Sequence, residues 1–292
     1  MTLLALALVL AAGFFHATWN LLAKRASSGV SGPAFVWLCT ALSMLIFAPV
    51  AAIVLSENPH VGTLGLLFMV GTGILHTGYF LSLQEGYRVG DLSMIYPLAR
   101  GTGPLLASAA AIALFDERPG PLGAAGILLI VSGVFLLAWE PDSGSRGSAK
   151  KKKWLGMAFG LLTGVFIASY TLWDKYAVSD LSLSPILYYW ASLLVEALLL
   201  MPVALRDKEK VRAAWRTHRL ETLGVAVLSP LSYVLVLTAL VFTPVSHVAP
   251  AREIGILFGT LMGGHLLAEG GLGRRLVASS FMVLGIVALA VG

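Results

Sequence analysis

The sequence predicts an all-α polytopic membrane protein, with ten transmembrane helices arranged as two inverted five-helix repeats. Three observations carry that expectation. Of 292 residues, 58% are apolar and only 12% charged. That is about half the charge of an ordinary soluble domain, too little to coat a globular surface of this size. The apolar residues fall into ten runs, each long enough for the roughly 20-residue span of a bilayer helix. The basic residues outside those runs crowd onto alternate loops.

The runs lie at about 2–23, 32–55, 63–84, 92–115, 121–139, 154–173, 185–205, 220–242, 245–268 and 272–291. The first has no basic residues ahead of it and is followed by Lys24 and Arg25, the reverse of the charge order in a secretory leader. It is therefore expected to stay as a helix. Cys39, the single cysteine, excludes an intramolecular disulfide and a multi-cysteine metal site, and inside an apolar run it reads as packing.

Loop charge sets the orientation. Sixteen of the twenty Lys and Arg residues follow odd-numbered runs: Lys24 and Arg25; Arg88; Arg146 with Lys150 to Lys153; Arg206, Lys208, Lys210, Arg212, Arg216 and Arg219; Arg274 and Arg275. Only Arg118 and Lys175 fall on the opposite side, while Arg100 and Arg252 lie inside runs. The positive-inside rule then places the odd loops in the cytoplasm and both termini outside, in a cytoplasmic (inner) membrane. The polar stretch 140–153 reads as a basic cytoplasmic linker between a first repeat, 1–139, and a second, 154–292.

The two halves align on each other. At an offset of 151, Gly13, Ala17 and Lys24 meet Gly164, Ala168 and Lys175; at 152, Arg100, Glu117 and Gly133 meet Arg252, Glu269 and Gly285. A near-constant offset points to an internal duplication. Five helices is an odd number, so the second copy enters from the opposite side. Inverted repeats of this kind place a transport site near the bilayer midplane.

After the fourth run Glu117 is followed by Gly126 and Gly133, in ERPGPLGAAGILLIVSG. In the second half Glu269 and Gly285 keep the pattern, but Ala278 replaces the middle glycine, which predicts a looser helix contact there. With the opening HATWNLLAK and the five-plus-five repeat, the chain resembles the EamA-type proteins of the drug/metabolite transporter superfamily over essentially its whole length. Within it, the chain is most similar to bacterial amino-acid and metabolite exporters of the YddG type. The resemblance implies a central cavity lined by helices 1–4 and 6–9, with helices 5 and 10 outside.

Candidate lining residues follow from the cost of burying polar groups in hydrocarbon. His16, Trp19 and Asn20 share one face of the first helix at i, i+3, i+4 spacing. They read either as cavity lining or as interhelical glue. The matching face of the sixth carries Tyr170 and Thr171, the third offers His76 and Tyr79, and the eighth Tyr233. Arg100, after Tyr96 and Pro97, and Arg252, after Pro250, each cost about 2.5–3.5 kcal/mol at mid-span. They read as structural ion pairs or as anchors for a substrate carboxylate. Glu196, isolated among leucines, and Glu253 are candidates for proton coupling. Glu117 and Glu269 stand where helices start, positions that favour a capping carboxylate.

No GxxxxGK[ST], HExxH or GxSxG occurs, so neither ATP-driven pumping nor a familiar enzyme class is expected. No cofactor, metal or nucleic-acid partner is expected either. The partners expected are a small-molecule substrate and the lipid bilayer, with the monomer as the working unit. The leading expectation is a secondary transporter exporting small amphiphilic metabolites, amino acids foremost, by alternating access. Cationic drug efflux is a second possibility. The resemblance speaks against it, because the small multidrug relatives carry an acid in their first helix where this chain has His16. A non-transporting scaffold or lipid-handling enzyme is the third.

Overall fold

A backbone can cross hydrocarbon only if it satisfies its own hydrogen bonds, and among the described residues every regular element is an α-helix. The computed structural model describes residues 1–26, 32–57, 61–89, 92–138, 148–267 and 272–292. Side chains are described at all of these except 87, 92–94, 96–97, 137–138, 148–153, 260–261, 263–267 and 272–276. In chain order the helices are α1 (Leu3–Ala26), α2 (Gly32–Glu57), α3 (Gly62–Val89), α4 (Leu92–Leu114), α5 (Gly120–Ala138) and α6 (Ser148–Ser179). They continue with α7 (Pro185–Arg206), α8 (Lys208–Thr217), α9 (Arg219–Phe242), α10 (Val245–Ala251), α11 (Ile254–Leu267) and α12 (Leu272–Val291). Six of them, α1, α2, α3, α6, α7 and α9, contain a stretch long and apolar enough to cross a bilayer, and α4, α5 and α12 contain shorter apolar stretches. The protein is a multi-pass membrane protein.

Three elements depart from the expected ten spans. The basic loop after the seventh run holds a helix of its own, α8. It sets Lys208, Lys210, Arg212 and Arg216 against buried Ala214 and half-buried Val211 and Trp215, the division of a helix lying along an interface. The ninth run is broken into α10 and α11. Pro250 has no N–H to offer the preceding turn, and the chain continues through i→i+3 contacts, Glu253 N to Pro250 O at 3.0 Å and Ile256 N to Glu253 O at 2.9 Å. Such bonds tighten the turn and shift the axis. The sixth run extends to Ser179, six residues past its expected end. This puts Lys175, read as a loop residue, on α6, where its Nζ donates to Leu240 O at 2.7 Å and Thr243 O at 3.3 Å. The ammonium thus caps the carbonyl end of α9.

α1 packs against α9 and α11, α6 against α3 and α4, α2 against α7, and α5 against α12. The last contact is made by small residues. A side chain at Gly126 would fall 2.7 Å from Gly285 O, and one at Gly133 would fall 2.8 Å from Ala278 O. Ala278 is fully buried and sits opposite a glycine that leaves room for its methyl, so the expected loosening is absent. Glu117 caps a helix, though not its own: Val245 N and Ser246 N donate to its two oxygens at 2.7 and 2.8 Å, which starts α10. Glu269 and the linker residues 140–147 lie outside the described residues, and 148–153 form the first turns of α6.

Candidate functional site

The break between α10 and α11 delivers Arg252 and Glu253 into the protein interior, where α4 presents Arg100. The three are 9%, 1% and 6% exposed. Glu253 lies between the guanidiniums, with Oε2 3.5 Å from Arg100 Nε and Oε1 3.4 Å from Arg252 Nε. One carboxylate therefore serves two arginines. Further contacts run to α1 and α6: Arg100 Nη2 meets His16 Nε2, and Arg252 Nη2 donates to Tyr170 Oη at 2.9 Å.

Tyr170 begins an aromatic wall. Its ring stacks on His76 of α3 at 4.2 Å and meets the edges of Tyr79 at 5.8 Å and Tyr233 of α9 at 6.0 Å. Tyr233 in turn lies 4.9 Å from the Tyr189 ring of α7. His76 Nδ1 lies 2.9 Å from the carbonyl and 3.1 Å from Oγ1 of Thr72, one turn earlier on its own helix, and these contacts hold the ring plane.

Behind this wall is a residue that the sequence reading missed. Asp174, one turn along α6 from Tyr170, is fully buried. Its oxygens accept from Tyr188 Oη at 2.7 Å and Tyr233 Oη at 2.5 Å. The expected end of the sixth helix at residue 173 left Asp174 in a loop. The available signal was downstream: Ala177 and Val178, both buried, continue the apolar face beyond it.

The structure thus brings together His16, His76, Tyr79, Arg100, Tyr170, Tyr233, Arg252 and Glu253. The other candidates stand apart. Trp19 touches His16 edge-on at 5.0 Å but packs in a separate apolar cluster with Phe35, Cys39 and Val225. Asn20 returns its amide to the His16 carbonyl at 2.7 Å, closing onto its own helix. Glu196 lies on α7, with a buried Oε1 that has no hydrogen-bond partner, within electrostatic reach of Asp174. The side chain of Tyr96, on α4, lies outside the described residues.

The sequence matches the EamA-like transporter family twice, over residues 3–139 and again over 154–291. The chain belongs to the EamA-like transporter family. It is a membrane transporter of the drug/metabolite transporter superfamily, with a small-molecule substrate, and not a member of an enzyme family. No curated protein matches this EamA-like chain. A solved structure titled "Crystal structure of protein" is similar to it over 97% of each chain, with 15% identity and a TM-score of 0.76. At that identity the likeness concerns the fold. It nonetheless means that α8 and the broken α10–α11 segment sit within a frame that another chain also adopts.

Proposed function

We propose that this EamA-like transporter is an exporter of small amphiphilic metabolites, amino acids foremost and aromatic ones included, in the cytoplasmic membrane. It works by alternating access, as ten spans in two inverted repeats around a central cavity. The observation that carries the reading is the buried Arg100–Glu253–Arg252 cluster beside an aromatic wall. Guanidinium groups of this kind suit a substrate carboxylate, and the rings of His76, Tyr79, Tyr170 and Tyr233 suit an apolar or aromatic side chain. His16, Trp19, Asn20 and Tyr96 complete the proposed lining, and Glu196 and Glu253 are the first candidates for proton coupling.

Packing supports the repeat. If α6, α7, α9, α10–α11 and α12 are counterparts of α1 to α5, the contact of α1 with α9 becomes that of α6 with α3. The contact of α4 with α6 likewise becomes that of α11 with α1, while α2–α7 and α5–α12 pair counterparts directly. Two states related by exchanging the halves would then have the same contacts, as alternating access requires. The basic loops and α8 face the cytoplasm in this reading, and the monomer is the working unit.

Asp174 favours a second reading, cationic efflux, because an acid behind aromatic rings also suits an ammonium group. Purified protein in liposomes, loaded with unlabelled compound and supplied outside with a labelled amino-acid panel or with quaternary ammonium dyes, separates the two. Counterflow of amino acids is expected. Counterflow of dyes alone would overturn the amino-acid reading, and no counterflow of either would overturn both.

A further inference from the structure

We propose that Asp174 is the proton site of this transporter, and that its charge state sets how firmly α7 and α9 are held to α6. The inference rests on the transport reading above, but it assigns the proton to Asp174 in place of Glu196 and Glu253, the two acids first considered for that role.

Asp174 has no exposed surface, and burying a carboxylate that only stabilised the fold would be an expensive choice. Its two oxygens are divided between two other helices, Tyr188 Oη of α7 at 2.7 Å and Tyr233 Oη of α9 at 2.5 Å. An ionised carboxylate only accepts, so both hydroxyl protons point at it. Bonds of this charge-assisted kind are about twice as strong as neutral ones. One negative charge therefore ties three helices together.

The surroundings leave the site open to a change of charge. Lys175, the next residue, is turned away to the carbonyls of Leu240 and Thr243. Arg100 and Arg252 are taken up with Glu253. From α3, His76 lies between the two poles and interacts electrostatically with both Asp174 and Arg252. From α7, Glu196 and Tyr189 lie within electrostatic reach, and Glu196 adds a second acid rather than a counter-charge.

A proton arriving from the external solution bonds to one carboxyl oxygen, turning that oxygen into a donor, and the bonds that the carboxyl accepts from the two tyrosines lose their charge assistance. A hydroxyl held less firmly has somewhere to go. Tyr188 Oη already lies 3.4 Å from the Phe68 carbonyl of α3. Protonation thus hands Tyr188 towards α3 and weakens the hold of α6 on Tyr233. Because Tyr233 belongs to the aromatic wall, releasing it alters the lining that faces the substrate. Loss of the proton restores both bonds. Outward movement of substrate would in this way be exchanged for inward movement of a proton.

Two measurements on the full-length protein test this. The first needs no substrate: infrared difference spectra between acid and alkaline pH, for wild type, Asp174→Asn, Tyr233→Phe and, as a control, Glu196→Gln. Among the carboxylic-acid carbonyl bands of the fifteen Asp and Glu residues, one component is expected to be present in wild type and in Glu196→Gln and missing from Asp174→Asn. The same component should be displaced in its pH midpoint in Tyr233→Phe, which keeps the carboxyl should Asp174→Asn fail to fold. Identical spectra for wild type and Asp174→Asn, or a midpoint unmoved in Tyr233→Phe, would overturn the proposal. The second measures labelled phenylalanine in liposomes as the ratio of pH-gradient-driven flux to equilibrium exchange. The ratio is expected to exceed one in wild type and to fall to one in Asp174→Asn. A ratio unchanged in Asp174→Asn would also overturn it. Absence of both fluxes in wild type would instead sink the exporter reading, leaving the infrared result to decide on Asp174.

Discussion

Replacing Glu253 by alanine leaves Arg100 and Arg252 buried side by side without the carboxylate that lies between them. The two guanidiniums are 6% and 9% exposed, so water screens them little. Removing one partner of a buried ion pair costs about 3–5 kcal/mol. Unfolding entropy is about 2.1 cal/mol/K per residue. For a chain of 292 residues the loss corresponds to a fall in thermal midpoint of about 5–8 °C. The protein carries its own reporter. Cys39 is the sole cysteine and is buried, with Sγ 3.9 Å from the Thr222 carbonyl. A fluorogenic maleimide therefore reacts only as the helices separate, and heating detergent-solubilised protein with it gives the midpoint. Glu253→Gln, which keeps volume and an acceptor, should fall by less. The double variant Arg100→Met, Glu253→Ala, which removes one of the stranded charges, should recover part of the loss. A Glu253→Ala midpoint within about 1 °C of wild type, or strictly additive single and double effects, would refute the cluster as an electrostatic unit.

Glu117→Ala removes the acceptor for two N–H groups at the start of α10. It should cost about 1–2 kcal/mol, read as a lowered midpoint in the same thiol assay. Gly126→Val places a side chain against Gly285 O, 2.7 Å from where its Cβ would stand. Overpacking of about 1–3 kcal/mol should lower the midpoint again, whereas Ala125→Val, at an exposed position of the same helix, should not. In a Cys39→Ser background, an impermeant maleimide added to intact cells should label Asp116→Cys and not Ala213→Cys, both positions being exposed. The opposite pattern would invert the proposed orientation.

Hydrophobic runs, loop charge and the duplicated spacing are properties of many residues at once, and they made the helices legible. What stayed hidden depended on single residues. The end of α6 is set by Lys175 reaching carbonyls of α9, a contact 65 residues away that no local pattern announces, and with that end went Asp174. The break after α10 was marked by Pro250, but proline inside a helix often only kinks it; α2, α7 and α9 contain Pro49, Pro202 and Pro230 without interruption. Arg100, Arg252 and Glu253 could be singled out because burying charge in hydrocarbon is costly wherever it occurs. Their mutual geometry could not, since Arg100 and Glu253 are 153 residues apart. The face shared by His16, Trp19 and Asn20 was visible as spacing, yet only His16 reaches the cluster, because helical periodicity fixes a direction and not the neighbour found there.

The two halves share a frame but not its acids. At the offsets that relate them, Asp174 and Glu196 fall on Ala23 and Leu45, and Glu253 on Gly101. Asp174 therefore ties α6, α7 and α9 together, and no carboxylate stands at the corresponding place among α1, α2 and α3. Burial follows the same division. In the most apolar stretches of α6, α7 and α9, 44%, 39% and 44% of residues are buried, against 28%, 22% and 28% in α1, α2 and α3. Local opening is easiest where buried contacts are fewest. Amide hydrogen exchange followed by mass spectrometry should consequently find α1 to α3 exchanging faster than α6, α7 and α9 at matched depth. Asp174→Asn should narrow that difference by loosening the second group alone. Equal protection of the two groups in wild type would refute the argument from burial, and a difference unchanged in Asp174→Asn would mean that the carboxylate ties contribute nothing to holding the second group together.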